Sequence, residues 1–257
     1  MKFGCMGKLC QADAVRDAGF DRMELDLREI MELDDGQFRD ARARLKDAGL
    51  EYHVCSWILP IDLDITAPDF DRSGWYSYLS LGADRCASLG VRVWPFGTGK
   101  GRSIKPQNGD PAGQAQRVAD FLAFLDETVS SRGIISAIEP LGPANSNFIS
   151  TLAQADSLRR QIGSDTVRLM CDLRHMVHSH DPYGEITVYG ENIVHCHIDY
   201  PLGDRRIFPE PGDGFDYVPY LSRVSELACG SLAFEAIHSE NAPANMRRSL
   251  EYIRSMC

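Results

Sequence analysis

The amino-acid sequence predicts an α/β fold, a (β/α)8 TIM barrel that forms a single domain over residues 1–257. Eight short apolar runs alternate with longer amphipathic stretches, and several of those stretches end in glycine just before the next run. A length of 257 residues is also typical of such a barrel. A doubly wound open sheet is the alternative, but the sequence lacks the glycine fingerprint with which that fold binds phosphate.

The apolar runs are rich in valine, isoleucine and aromatic residues, which favour strands over helices. Each run is short enough for a buried parallel strand. We predict strands at Lys2–Met6, Arg22–Leu27, Tyr52–Ile58, Val91–Phe96, Ile134–Glu139, Val167–Asp172, Asn192–Ile198 and Ser231–Ile237.

Between the predicted strands, apolar residues recur three and four positions apart, which is the period of a helix. We predict helices at Asp35–Ala48 and Ala112–Ser131, among others. Glycine closes a last helical turn in the left-handed conformation, and the glycines in this position are Gly19, Gly49, Gly90 and Gly133. The long connections at 97–113 and 200–216 indicate functional loops, and we expect Gly97–Gly101 to line an active site.

The bulk composition excludes several classes of protein. The formal net charge is −10 and no basic run offsets it, so we expect no nucleic-acid partner. No apolar run is long enough to span a membrane, and the first residues do not resemble a signal peptide. The eight cysteines form no C-x-x-C pair, so we expect reduced, buried thiols in a cytoplasmic protein. The composition does not decide between a monomer and a homo-oligomer.

Potential metal ligands stand at the ends of four consecutive predicted strands. They are Glu139, Asp172, His197 and Glu235, separated by 33, 25 and 38 residues along the chain. Each separation is close to one βα unit, and the carboxyl ends of barrel strands form the active face. His195 points to the same side of its strand as His197, so one of the two is a ligand and the other a hydrogen-bonded core residue.

Three carboxylates and one imidazole form a mixed oxygen and nitrogen site. Carboxylates crowded at a barrel mouth would repel each other, and one divalent cation removes that repulsion. Each residue alone would equally suit a salt bridge, so the prediction depends on all four being in register. Oxygen-rich ligation suits Mn²⁺, our first expectation, and Mg²⁺, Co²⁺ or Zn²⁺ are alternatives.

Segments in the second half of the chain carry a family resemblance. They are AIEPLGPANSNFISTLAQA (137–155), LMCDLRHM (169–176), VHCHIDYPLGDRRIFPEPGDGFDY (194–217) and LAFEAI (232–237). Together they resemble the xylose-isomerase-like TIM barrel superfamily, in the sugar isomerase and epimerase branch that includes D-tagatose 3-epimerase and hydroxypyruvate isomerase. The resemblance implies that the four strand-end residues bind the metal and that the substrate is small and polyhydroxylated.

The resemblance also implies substrate-binding residues. His175 stands where the family has a substrate-binding histidine, and either Arg205 or Arg206 stands where an arginine contacts a substrate oxygen. Epimerases of the family carry a second glutamate six residues after the strand-five glutamate, and this position is Asn145 here. Asparagine can bind a substrate but cannot act as a base, so the resemblance does not extend to a standard ketose 3-epimerase.

The ligand set predicts a sugar or keto-sugar isomerase or epimerase. Glu139 and Glu235 would be the catalytic pair, one removing a proton beside a carbonyl and the other returning it, through a metal-stabilised enediolate. Elimination from a keto-sugar or keto-glycoside, a lyase or dehydratase reaction, is the alternative in the same site. An inactive ligand-binding barrel and a nuclease like endonuclease IV are the classes that we expect least.

Overall fold

A computed structural model describes residues 1–257 and contains eight parallel strands. The strands are β1 (Lys2–Met6), β2 (Arg22–Asp26), β3 (Cys55–Ser56), β4 (Val93–Phe96), β5 (Ile135–Ile138), β6 (Val167–Asp172), β7 (Ile193–Ile198) and β8 (Ser231–Phe234). They form one sheet in the order β3-β2-β1-β8-β7-β6-β5-β4. Consecutive strands are therefore neighbours throughout, and β1 pairs with β8.

The sheet is nearly closed between its two edge strands, β3 and β4. Val54 and Val93 form an isolated parallel bridge there. The carbonyl oxygen of His53 accepts hydrogen bonds from the amides of Arg92 and Val93, at 2.9 and 3.1 Å. This junction completes the ring of strands, and the predicted TIM barrel is confirmed.

Helices follow the strands and surround the barrel. They are α1 (Ala12–Ala18), α2 (Leu27–Met31), α3 (Asp35–Ala48), α4 (Tyr76–Leu89), α5 (Pro111–Val129), α6 (Leu152–Ile162), α7 (Leu173–Ser179), α8 (Gly184–Tyr189), α9 (Val218–Val224) and α10 (Pro243–Arg254). The predicted helix Asp35–Ala48 has both of its bounds confirmed. The predicted helix Ala112–Ser131 begins one residue earlier and ends two residues earlier.

The glycines that were predicted to close helices in the left-handed conformation are confirmed. Gly19, Gly49, Gly90 and Gly133 all adopt positive φ, between 71° and 96°. The strand predicted at Tyr52–Ile58 was too long, because Trp57 adopts a left-handed φ of 51° and ends β3 at Ser56. A non-glycine residue rarely adopts this conformation, and its neighbours in the sequence gave no signal of it.

Side chains alternate across the strands between two environments. His195 and His197 point into the barrel, whereas Cys196 and Ile198 point out and join the main apolar core between strands and helices. Trp94 and Phe96 belong to that outer core and are fully buried. All eight cysteines are free, and five of them are buried. No helix combines the length and the apolar character that crossing a membrane requires.

Candidate metal centre

The four strand-end residues converge at one point on the carboxyl side of the barrel. Glu139 directly follows β5, Asp172 ends β6, His197 lies in β7 and Glu235 directly follows β8. Each offers one potential ligand atom, and these atoms all lie within 4.8 Å of one another. All four side chains are buried. The geometry is compatible with a single ion held by all four.

The ring nitrogen Nδ1 of His197 lies at the centre of this cluster. It is 3.0 Å from Oε2 of Glu235, 3.6 Å from Oδ2 of Asp172 and 3.7 Å from Oε1 of Glu139. His197 Nδ1 is buried and has no hydrogen-bond partner. The buried Oε2 of Glu235 also lacks a hydrogen bond, but it forms an ion pair of 2.9 Å with Nη1 of Arg206. Buried polar atoms without partners are costly, and a cation between them would satisfy both. The residues therefore fit a metal.

Negative charge exceeds positive charge around the cluster. Two buried guanidinium groups lie there: that of Arg206 contacts Asp172 of the cluster, and that of Arg174 contacts the neighbouring Asp199. The buried carboxyl groups at or beside the cluster are Glu24, Glu139, Asp172, Asp199 and Glu235. Burial raises the pKa of Asp199 to about 8, so Asp199 adds little negative charge at neutral pH and four carboxylates remain. A divalent cation would offset most of this surplus.

The local electrostatics shift the pKa values of two of the four side chains. Burial alone would lower the pKa of His197, but the charge of Glu24 and the three carboxylates that face Nδ1 raise it well above its ordinary value. Burial alone would raise the pKa of Asp172, but the charge of Arg206 holds it well below its ordinary value. The Asp172 carboxylate is therefore ionised and available as a ligand.

A helix start fixes the orientation of Asp172. Its Oδ1 accepts a hydrogen bond of 2.9 Å from the amide of His175 and so caps α7. Its Oδ2 faces the cluster and accepts a hydrogen bond of 3.0 Å from Arg206. One carboxylate oxygen of Asp172 thus caps α7, and the other faces the cluster.

The loop after β4 holds Glu139 in place. A Cβ atom on Gly97 would lie 2.4 Å from Oε2 of Glu139, so only glycine leaves room for the carboxylate. Arg102 is fully buried, and its guanidinium donates to the carbonyl oxygens of Glu139 at 2.6 Å and Phe96 at 2.8 Å. The loop after β4 is therefore tied to the end of β5.

The predicted substrate-binding residues differ in their distance from the cluster. Arg206 Nη2 lies 2.8 Å from His175 Nε2, and Gly142 donates to His175 Nδ1, so both residues lie at the cluster. Burial lowers the pKa of His175 to about 4. Arg205 is exposed and donates to the carbonyl of His238 instead. Asn145 is exposed on the rim of the cavity above the cluster.

A cavity of about 550 Å³ opens above the four residues. This volume is within the range of small-molecule sites, roughly 300–1,000 Å³. Glu139, His197 and Glu235 form its floor, and Trp57 lines one wall. Of the predicted loop Gly97–Gly101, the first four residues line another wall and Gly101 does not. A small ligand could therefore reach the cluster from solvent.

One acidic residue beneath the cluster was missed in the sequence. Glu24 lies in β2, points into the barrel and is only 2% exposed. The signal was present, because Met23 and Leu25 on either side are outward core residues, which places Glu24 on the inner face. Glu24 lies in the middle of β2, whereas the predicted ligands stand at or next to the ends of β5 to β8.

The fold and the cluster together define a TIM barrel with a candidate metal centre at the carboxyl ends of its strands. The sequence profile described as xylose isomerase-like TIM barrel matches residues 12–256. The chain therefore belongs to the xylose isomerase-like TIM barrel family, as its second half suggested. In a sequence comparison with curated proteins, no match is significant.

Solved structures of sugar epimerases resemble the whole chain. D-psicose 3-epimerase has a TM-score of 0.83 at 17% identity, over 100% of this chain and 99% of its own. The 3-keto-D-glucoside 4-epimerase of E. coli has a TM-score of 0.81 at 19% identity, over 99% of both chains. L-ribulose 3-epimerase has a TM-score of 0.79 at 22% identity, over 99% of this chain and 94% of its own. These likenesses support the fold.

Proposed function

We propose that this protein is a divalent-metal-dependent isomerase or epimerase of sugars or keto-sugars. The observation that carries the proposal is the convergence of Glu139, Asp172, His197 and Glu235 within 4.8 Å at the floor of an open cavity. Family membership and the names of similar structures, all three of them sugar epimerases, support the same reaction class.

Glu139 and Glu235 are the proposed acid–base pair. They follow β5 and β8, so they approach the centre of the cluster from different sides, and both carboxylates border the cavity. One would take a proton from a carbon beside a carbonyl, and the other would give a proton back. Return to the opposite face of the same carbon gives an epimer, whereas return to the neighbouring carbon gives an isomer.

The remaining residues orient the substrate. A divalent cation held by the four ligands would supply a Lewis acid that stabilises negative charge on the substrate oxygens, and Mn²⁺ is our first expectation. The guanidinium of Arg206 and the neutral imidazole of His175 lie beside it and can donate hydrogen bonds to the same oxygens. Arg206, rather than Arg205, is therefore the proposed substrate-binding arginine.

Asn145 favours a substrate other than a free ketohexose. It lines the cavity and brings no charge where epimerases of the family have a glutamate. One of the similar structures is named for a keto-glucoside, so a keto-glycoside is a reasonable candidate. Elimination of a group β to the carbanion is the second candidate reaction, since a keto-glycoside carries such leaving groups.

The experiment is a substrate comparison in deuterated water. Metal-free protein and protein loaded with Mn²⁺, Co²⁺ or Mg²⁺ would be incubated with free ketoses and with 3-keto-glucosides, and the products would be followed by NMR. We expect metal-dependent incorporation of solvent deuterium beside the carbonyl. Release of the aglycone would instead identify elimination.

The variant Glu235→Gln tests the acid–base role, because an amide cannot carry the proton. We expect a loss of rate of about 100-fold or more. The matched control is Glu226→Gln, which makes the same change at an exposed position outside the cavity. Full activity of Glu235→Gln, or of wild type shown to be free of metal, would contradict the proposal.

A further inference from the structure

Glu24 occupies the inside of the barrel directly beneath the candidate metal centre. His197 separates it from the three carboxylates of that centre, with one ring nitrogen facing each side. Glu24 does not line the cavity of about 550 Å³ and borders one of about 10 Å³, so it is not positioned to touch a substrate. A buried carboxylate in this place requires an explanation, because burying a charge is costly unless it is well paired.

Three donors surround the Glu24 carboxylate. His197 Nε2 donates to it at 3.0 and 3.1 Å from the two oxygens, and His195 Nε2 donates to Oε2 at 3.0 Å. The hydroxyl of Ser56 donates to Oε1. The other nitrogen of His195 lies 2.9 Å from the hydroxyl of Ser231. All of these side chains are buried.

This arrangement determines which nitrogen of His197 can bind a metal. An ionised carboxylate only accepts hydrogen bonds, so Nε2 of His197 must carry a hydrogen to bond with Glu24. A neutral His197 then has its free lone pair on Nδ1. Nδ1 is the atom that faces Glu139, Asp172 and Glu235 and has no hydrogen-bond partner.

We propose that Glu24 is a positioning residue that holds His197 in its metal-binding tautomer and orientation, with His195 and Ser56 fixing Glu24 in turn. The inference rests on the proposed metal centre and extends it to a residue on β2, a strand that supplies none of the ligands. Partners of metal-binding histidines typically change metal affinity by about 10- to 100-fold when they are removed.

The test is the metal affinity of Glu24→Gln, measured without substrate. Glutamine keeps the shape but removes the negative charge and replaces one acceptor oxygen by an NH₂ donor. Both oxygens of Glu24 face His197 Nε2, at 3.0 and 3.1 Å, so either orientation of the amide places a donor against that nitrogen. The dissociation constant of Mn²⁺ would be measured by competition with a fluorescent chelator. We expect it to rise by about 10- to 100-fold relative to wild type.

The matched control is Asp126→Asn, which also replaces a buried carboxylate by an amide. Asp126 lies on α5 and accepts hydrogen bonds from Ser164 and Thr166, outside the cavity. A residue with a purely structural role would lower the thermal midpoint and leave the metal affinity unchanged, which is what we expect of Asp126→Asn. If Glu24→Gln loses metal affinity and Asp126→Asn does not, the loss reflects the positioning of His197 rather than a general loss of stability.

A second measurement uses only wild type, so it does not depend on a variant that folds. In protein labelled with ¹⁵N-histidine and loaded with Zn²⁺, NMR should show metal on Nδ1 of His197 and hydrogen on Nε2. Metal on Nε2 would overturn the inference, and so would unchanged affinity in Glu24→Gln. If wild type binds no divalent cation at all, the proposed function fails together with the inference, and that result is distinguishable from the other two.

Discussion

At the scale of single residues, the space beside Glu139 is as important as its charge. The carboxylate occupies the volume that a side chain at position 97 would need. Gly97 does not have the positive φ that would require glycine for backbone reasons. The absence of a side chain at position 97 therefore leaves room for the Glu139 carboxylate, which lies both in the cluster and at the cavity floor.

The substitution Gly97→Ala should displace the Glu139 carboxylate and leave the fold intact. A shift of about 1 Å at a catalytic group can cost about 100-fold in rate, and we expect a loss of that order in kcat/KM. Gly184→Ala is the control, since a Cβ there meets nothing within 4 Å. Steady-state kinetics and thermal unfolding would be measured for both, and unchanged kinetics in Gly97→Ala would refute the packing interpretation.

Asn145 should limit the activity on free ketohexoses. Its neighbour Asn147 does not compensate, because its side chain is bonded to the backbone of Ile104 in both directions. We expect Asn145→Glu to increase turnover of free ketohexoses relative to wild type, since charged hydrogen bonds are about twice as strong as neutral ones. Gln107→Glu adds the same charge at an exposed position off the cavity and should change nothing. Equal turnover in all three proteins would reject this role of Asn145.

The residues that could be found in the sequence are those that repeat a pattern. The four strand-end residues stand at or next to the ends of four consecutive strands, so their repetition was visible before their geometry. Glu24 repeats nothing and becomes meaningful only where β2 and β7 face each other across the barrel. Arg205 and Arg206 are adjacent, and only the path of the loop after β7 brings Arg206 to the cluster.

At the scale of secondary-structure elements, Arg102 connects two loops that form the cavity. It follows β4, and its guanidinium donates to carbonyl oxygens of Phe96, Glu139, Phe148 and Ile149. No carboxylate hydrogen-bonds to it, so the buried cation is satisfied by backbone oxygens. Burial lowers the pKa of Arg102 to about 10, which leaves it charged at neutral pH.

The substitution Arg102→Ala should destabilise the fold and weaken metal binding together. Each buried carbonyl that loses its partner costs about 1–3 kcal/mol, so we expect a loss of several kcal/mol in the free energy of unfolding. Arg160→Ala removes an exposed arginine that pairs with Asp156 and should cost about 0–1 kcal/mol. Urea unfolding would measure the free energy of unfolding of both variants. A loss for Arg102→Ala no larger than that for Arg160→Ala would contradict the role of Arg102 in joining the two loops.

Element bounds were predictable where hydrophobicity and glycine mark them. β1, β6 and α3 have the predicted bounds, since a polar boundary or a capping glycine limits each one. β3 was overestimated because strand pairing, rather than composition, decides where a strand ends. Only Cys55 and Ser56 find ladder partners on β2, and Trp57 turns away into the cavity wall.

At the scale of the whole molecule, the barrel explains how ligands far apart in sequence form one site. Parallel strands that are neighbours in the chain are neighbours in the ring, so all four carboxyl ends open on the same face. The arrangement concentrates negative charge on that face of a protein whose net charge is already −10. A bound cation should therefore stabilise the whole fold.

Metal removal should lower the thermal midpoint of unfolding. A ligand at about 100 times its dissociation constant stabilises the native state by about 2.7 kcal/mol, which corresponds to about 5–10 °C for a chain of this size. We expect a shift of this order between chelated and Mn²⁺-loaded wild type in differential scanning fluorimetry. Asp172→Asn should show little shift, and an equal shift in that variant would place the stabilising ion elsewhere.

The most direct test of the account is anomalous diffraction from crystals grown with Mn²⁺. The account predicts one strong peak per chain, with Glu139, Asp172, Glu235 and Nδ1 of His197 each at about 2.0–2.3 Å from it. A peak coordinated by other residues, or no peak in crystals with Mn²⁺ well above micromolar concentration, would contradict the claim that these four side chains form one metal centre.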